Sequence, residues 1–207
     1  MAEDTSGSGL SWLGYVGYAL GATVLGGTVF AGTRRAQRVA AARSRLSTLL
    51  NSAAGSDARV VITGATSGVG EELAQELSRH PSVSLLLGCR DVKRGEAVAS
   101  RCGGPGKADV VQLDCLDMAS VRGFAVKAQE FLDADSSSGA PSSGLRLVVN
   151  NAGVMSSPLE SSADGFEPTW STNFLAPYLT TELLAAGRQS GSTPPLRVVN
   201  VSSRLEG

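Results

Sequence analysis

Arg59-Val-Val-Ile-Thr63, followed at once by Gly64-Ala-Thr-Ser-Gly68-Val-Gly70, is the stretch on which the fold turns. The β-branched run suits a strand buried on both faces of a parallel sheet, where every position can be apolar. The glycines after it permit a tight reversal and a close approach of another group to the backbone. A helical period then takes over: Val69, Leu73, Ala74 and Leu77 share one apolar face, and Pro81 lies beyond the helix end. Strand, glycine turn and helix in this order put backbone N–H groups at a helix N-terminus, where the macrodipole favours an anion such as a pyrophosphate.

Working outward, Val83-Ser-Leu-Leu-Leu87 is a second strand ending in Gly88-Cys89-Arg90-Asp91. A sheet that binds an unphosphorylated dinucleotide places an acidic side chain at this strand end, to hold the ribose 2′-hydroxyl. An arginine there suits a 2′-phosphate instead. Cys89 stands in the acidic position and Arg90 follows it, so NADP(H) is the expected cofactor, with Asp91 read as the N-cap of the next helix. Asp109 to Asp114 is a third strand, Met118 to Leu132 a helix, and Asp133 to Gly144 a polar tract without hydrophobic period, expected as a flexible loop. Leu145 to Val149 forms a fourth strand ending in Asn150-Asn151-Ala152-Gly153, and Leu196 to Val201 a fifth running into Ser202-Ser203.

The spacing TGxxxGxG, the NNAG after the fourth strand, the segment Ser171-Thr-Asn173-Phe-Leu-Ala-Pro-Tyr178 and the terminal serine pair, in that order, resemble the short-chain dehydrogenase/reductase family. Val154-Met155 and Ala163-Asp-Gly-Phe-Glu167 are similar to its retinol dehydrogenase and protochlorophyllide reductase branch. The resemblance implies that Thr63, Gly64, Ser67, Gly68, Val69 and Gly70 bind cofactor at the glycine turn, with Arg90 at the 2′-phosphate and Asp114 at the adenine. It also implies that Asn150 stabilises the central sheet and that Ala152 and Gly153 lie beside the cofactor. Asn173 would be the tetrad asparagine that helps hold the water and lysine of a proton relay, and Ser203 would orient a substrate carbonyl.

Two departures stand out: Ala176 where the family usually has glycine, and Pro177 after it. A mid-helix proline removes a backbone hydrogen bond, so a kink is expected near Asn173. The family mechanism also needs a tyrosine with a lysine four residues later, which lowers the tyrosine's pKa. Tyr15, Tyr18 and Tyr178 have Ala19, Ala22 and Glu182 at that spacing, and the lysines are Lys93, Lys107 and Lys127 alone. Five strands alternating with helices give the expectation of a Rossmann-type, doubly wound parallel α/β sheet in strand order 3-2-1-4-5. Because no such tyrosine–lysine pair follows Ser203, it is expected to be C-terminally incomplete, and it is expected to be preceded by a transmembrane helix. A fragment or a marginally stable domain is expected, and the resemblance covers Arg59 to Gly207.

Charge and composition set the remaining bounds. The net charge of -1 favours neither a polyanion nor a strongly acidic partner. Its distribution is uneven: no acidic residue lies between Asp4 and Asp57, whereas Arg34, Arg35, Arg38, Arg43 and Arg45 do. Leu10 to Gly32 is uncharged and, at about 1.5 Å per helical residue, long enough to cross a core of roughly 30 Å. Trp12, Tyr15 and Tyr18 sit towards one end and the arginines follow the other, so the rest of the chain is expected to face the cytoplasm or an equivalent compartment, the organelle being undecided.

The organisation expected is thus a tail at 1–9, a transmembrane helix at 10–32, a basic juxtamembrane linker at 33–56 and a partial NADP-binding Rossmann domain at 57–207. An organelle targeting sequence is the alternative for the N-terminal stretch. Gly17 and Gly21 form a GxxxG that would allow a homodimer. Membrane flanking explains the arginines, so no nucleic-acid partner is expected. Three cysteines are too few and too scattered for a zinc site, so no metal is expected and the thiols are read as reduced. The function expected of the parent enzyme is NADP(H)-dependent oxidoreduction of the carbonyl or alcohol of an apolar substrate, such as a retinoid or lipid. The 207-residue chain, read as a fragment of it without the tyrosine–lysine pair, is itself expected to be inactive. The alternative is a catalytically inactive, membrane-anchored NADP-binding or interaction module.

Overall fold

A computed structural model of the chain describes residues 57–134, 144–155, 161–188 and 194–203, with isolated helical positions between 37 and 48. The expected membrane helix, most of the basic linker and the polar loop 135–143 lie outside the described residues. Among the described residues no helix is long and apolar enough to cross a membrane. The chain divides into two compact units, Met1–Thr48 and Leu49–Gly207. In the first, the Thr48 hydroxyl donates to the Ser44 carbonyl at 2.9 Å, one helical turn back.

Among the described residues the second unit carries five parallel strands, β1 (Ala58–Thr63), β2 (Val83–Cys89), β3 (Ala108–Gln112), β4 (Arg146–Asn150) and β5 (Leu196–Asn200), in the order β3-β2-β1-β4-β5. The connections carry α1 (Gly68–Ser78), α2 (Val92–Arg101), α3 (Met118–Asp133), α4 (Pro168–Trp170), a π-helical turn (Ser171–Leu175) and α5 (Ala176–Ala186). In the register, Val61 pairs with Leu86 on one side and Val148 on the other. These three point to one face and pack with Val121, Phe124, Leu132 and Leu184 from α3 and α5. By the alternation of a strand, Val60, Ile62, Leu85 and Leu87, all fully buried, point to the other face. Two covered faces explain the unbroken apolar runs of β1 and β2.

Three local readings differ from the sequence expectation. Val69 is 65% exposed, and the buried face of α1 is formed by Gly70, Ala74 and Leu77. The period places Val69 inward only if α1 is covered from its first turn, and that turn instead borders open space. β2 runs on to Cys89 because Gly88 and Cys89 continue the ladder to Val111 and Gln112, whereas β3 stops at Gln112 and leaves Leu113 and Asp114 in the turn. Pro177 produces a π turn immediately before it: the Ala176 N–H reaches back to the Ser171 carbonyl, five residues away. Pro177 itself has no N–H to give to Asn173, so the wider turn accommodates the missing donor.

Candidate active site

Strand order reverses between β1 and β4, and at that reversal a cavity of about 670 Å³ opens over the C-terminal ends of β1, β2 and β4. Crevices at such switch points are where ligands bind in open α/β sheets. One wall is the glycine turn. Gly64 has φ +67°, and a Cβ there would lie 2.7 Å from the Ala152 Cα, so the turn and the NNAG segment touch backbone to backbone. Gly70 is tighter still: a Cβ would stand 2.4 Å from Asn151 Nδ2 and 2.6 Å from the Gly64 carbonyl oxygen.

The Asn151 side-chain amide is the strut between them. It donates to the carbonyls of Thr63 and Gly64, both at 3.0 Å. The Thr63 hydroxyl in turn accepts the N–H groups of Asn151 and Ala152, each at 3.0 Å. Thr63 therefore locks the end of β1 to the end of β4. Ser67 occupies the N-cap of α1, yet its hydroxyl makes no cap bond and lines the cavity. An uncommitted hydroxyl and unpaired first-turn N–H groups at one helix start are what an anionic ligand requires.

At the far end of β2 the cavity is lined by Cys89, Arg90, Asp91 and Arg94. The Asp91 carboxylate is occupied as the cap of α2, accepting the Arg94 N–H at 3.1 Å. Burial above all pushes the Cys89 thiol up to about 11, so it is neutral at physiological pH and brings no negative charge to the strand end. All three cysteines are free thiols, and Cys115 is pushed up by burial to about 12. Neither is an activated nucleophile. Arg90 and Arg94 are both exposed and make no ion pair with another described residue. Asp114 follows β3 and lines the cavity, and its Oδ1 accepts the Leu116 N–H at 3.0 Å.

At the β4 end, Ala152, Gly153, Val154 and Met155 complete the wall. Asn173 does not present a free amide to it. Its Oδ1 accepts the Val154 N–H and its Nδ2 donates to the Val154 carbonyl, both at 2.8 Å. The side chain is a two-point clamp on the loop after β4. Asn150, the last residue of β4, does not line the cavity; it donates to Asn200 Oδ1 at 2.8 Å and to the Thr181 hydroxyl at 3.2 Å, and so ties β4 to β5 and α5. Gly68 begins α1. Ser203 stands beyond β5, exposed, and is not among the residues that line the cavity.

The cavity thus collects Gly64, Ser67, Val69, Arg90, Asp114, Ala152 and Gly153; Thr63, Gly70 and Asn173 do not line it but are bonded to or packed on residues that do, and Gly68, Asn150 and Ser203 are not among its lining. Sequence reading missed Arg94 and Asn151. Arg94 carried a usable signal, since it sits four residues after Arg90 in the first turn of a helix capped by Asp91. Asn151 was visible within NNAG, but that its side chain braces the glycine turn is a tertiary fact with no local signature.

A family model described as short chain dehydrogenase matches residues 58–206. Retinol dehydrogenase 12 of Bos taurus is 40% identical over 144 residues, a match covering 70% of this chain and 42% of that protein. Retinol dehydrogenase 11 of Homo sapiens is 40% identical over 147 residues, with 70% and 42% covered. Among solved structures, a short-chain dehydrogenase from Sphingobium yanoikuyae in complex with NADPH superposes with a TM-score of 0.54 at 26% identity, covering 70% of this chain and 53% of that one. The chain therefore spans about two fifths of the length of the curated relatives it matches.

Proposed function

Because this chain belongs to the short-chain dehydrogenase family, an oxidoreductase family, we propose that its cavity holds NADP(H) and serves oxidation or reduction of an alcohol or carbonyl on an apolar substrate of retinoid type. One observation carries the choice of cofactor: the β2 end of the cavity presents two guanidiniums, Arg90 and Arg94, beside a neutral thiol and an aspartate already engaged as a cap. A 2′-phosphate would gain charge-assisted hydrogen bonds there, and a bare ribose would gain none of them. The 40% identity to retinol dehydrogenases 11 and 12 supports the substrate class.

In this reading the glycine turn, Ser67 and the start of α1 bind the pyrophosphate, and Asp114 faces the adenine. When bound, the nicotinamide supplies or accepts the hydride. The Asn173 clamp fixes Val154 and hence the backbone of Ala152 and Gly153, which must stay small to leave room beside the ring. Ser203, three residues beyond β5, is the candidate to orient the substrate oxygen by resemblance to the family alone, since it does not line the cavity here. Arg90→Ala is expected to weaken NADPH binding about tenfold while leaving NADH within about twofold, because only NADPH loses a charged partner. Arg94→Ala should act in the same direction. Fluorescence titration of both nucleotides decides it, and equal losses for the two would remove Arg90 from the 2′-phosphate site.

The same reading places the chain at a membrane, anchored by the uncharged run Leu10 to Gly32 with its flanking arginines, and allows two anchors to pair at Gly17 and Gly21. The protein should resist alkaline carbonate extraction, and removal of residues 1–33 should release it. Complete extraction of the intact chain would exclude the anchor.

A further inference from the structure

The Ala163-Asp-Gly-Phe-Glu167 stretch has no part in the cofactor chemistry described above, yet each of its polar residues is mechanically engaged. Gly165, at φ +81°, turns the chain, and the turn is closed by Ser162, whose N–H donates to the Phe166 carbonyl at 2.8 Å. The Glu167 carboxylate caps α4, accepting from Thr169 N at 2.8 Å and Trp170 N at 2.6 Å. Asp164 reaches outside the turn altogether. Its Oδ2 accepts the Met118 N–H at 2.8 Å, across 46 residues of sequence, and so caps the first turn of α3 beside Asp117, which takes the Ala119 N–H at 2.8 Å. A carboxylate is favoured at that helix end by the dipole as well as by the hydrogen bond.

The start of α3 controls the turn that follows β3. The Ser120 hydroxyl accepts the Asp114 N–H at 2.9 Å, and the Leu116 N–H is held by Asp114. A second stitch crosses the same gap: the buried Ser171 hydroxyl donates to the Cys115 carbonyl at 2.8 Å. On one side of these two bonds lies the π turn that carries Asn173, and on the other the Leu113–Leu116 turn that lines the cavity.

We propose that Asp164 is a positioning residue for the adenine end of the cavity, holding the Asp114 turn in place through the N-terminus of α3. This rests on the reading of the cavity as a dinucleotide site. The contact is exposed, so its loss should cost little global stability, whereas the turn it orients should lose its ligand-ready geometry.

The test uses the full chain and 2′,5′-ADP, which carries the adenine and the 2′-phosphate without a nicotinamide. Asp164→Ala should bind it about threefold to tenfold more weakly than the parent chain, with a melting temperature within about 3 °C of the parent and faster hydrogen exchange at the Met118 amide. Asp164→Asn retains an acceptor oxygen and should restore affinity to within about twofold. If the parent chain binds 2′,5′-ADP and Asp164→Ala binds it equally well, the positioning role is wrong and the cavity reading stands. If affinity falls only in proportion to lost stability and Asp164→Asn does not rescue it, Asp164 is merely structural and the proposal is overturned. If the folded parent chain binds neither 2′,5′-ADP nor NADPH, the cavity reading fails and the proposal fails with it.

Discussion

A single methyl group at residue 70 is expected to reduce NADPH affinity on the order of 100-fold. The Cβ of Gly70→Ala would stand 2.4 Å from Asn151 Nδ2 and 2.6 Å from the Gly64 carbonyl oxygen, both far inside van der Waals contact. One of these atoms is backbone and cannot rotate away. The other is the amide that holds Thr63 and Gly64, so relieving the clash breaks the strut of the glycine turn. The same substitution at Gly123 is the control. It lies within α3, where an added Cβ meets nothing within 4 Å, and alanine there should leave binding unchanged and raise stability by up to about 1 kcal/mol. Titration of both variants with NADPH checks the pair, and similar affinities for Gly70→Ala and Gly123→Ala would refute the packing argument.

The largest expected effect on stability comes from the opposite end of the sheet. Arg146 begins β4 and is fully buried. Its Nε donates to the Leu132 carbonyl at 2.6 Å and its Nη1 to the Asp57 carbonyl at 2.8 Å, while Nη2 stands 3.5 Å from the Asp57 carboxylate. Burial lowers the pKa of the guanidinium from its usual value and the charge of Asp57 opposes that shift. One side chain therefore joins the start of β1, the start of β4 and the last turn of α3, where a cation also meets the negative end of the helix. Arg146→Ala removes all of these and leaves buried carbonyls unpaired. A loss of about 3–5 kcal/mol is expected, read as a lower urea midpoint with an unchanged slope. A loss below about 1 kcal/mol would mean that water replaces the guanidinium at no cost.

The two variants show where sequence reading succeeds and where it stops. Apolar runs bounded by glycine identify β1, β2 and β4 because a strand covered on both faces leaves a local trace, and the strand order follows from short right-handed connections. The glycine turn and NNAG are legible for the same reason: backbone conformation and close approach restrict the residue type at each position. Arg146 is not legible, because an arginine opening a strand reads as a solvated edge unless the helix end that receives it is known. Val69 misleads because periodicity reports which residues could share a face but not how far along the helix the cover extends. Pro177 correctly marks a disturbance near Asn173. Its form as a π turn, and the commitment of the Asn173 amide to Val154, depend on the loop after β4 and on which backbone groups that loop leaves open. Arg94 becomes a candidate only once the capped start of α2 is seen to bring it to the same wall as Arg90.

Whether this cavity holds a 2′-phosphorylated dinucleotide, as proposed, is decided by titrating the folded 207-residue chain with NADPH and with NADH and following the fluorescence of each nucleotide. Saturable binding of NADPH, about tenfold or more tighter than NADH and weakened by raised salt, is the predicted result. NADH binding as tight as NADPH, or no binding of either by the folded chain, would contradict it.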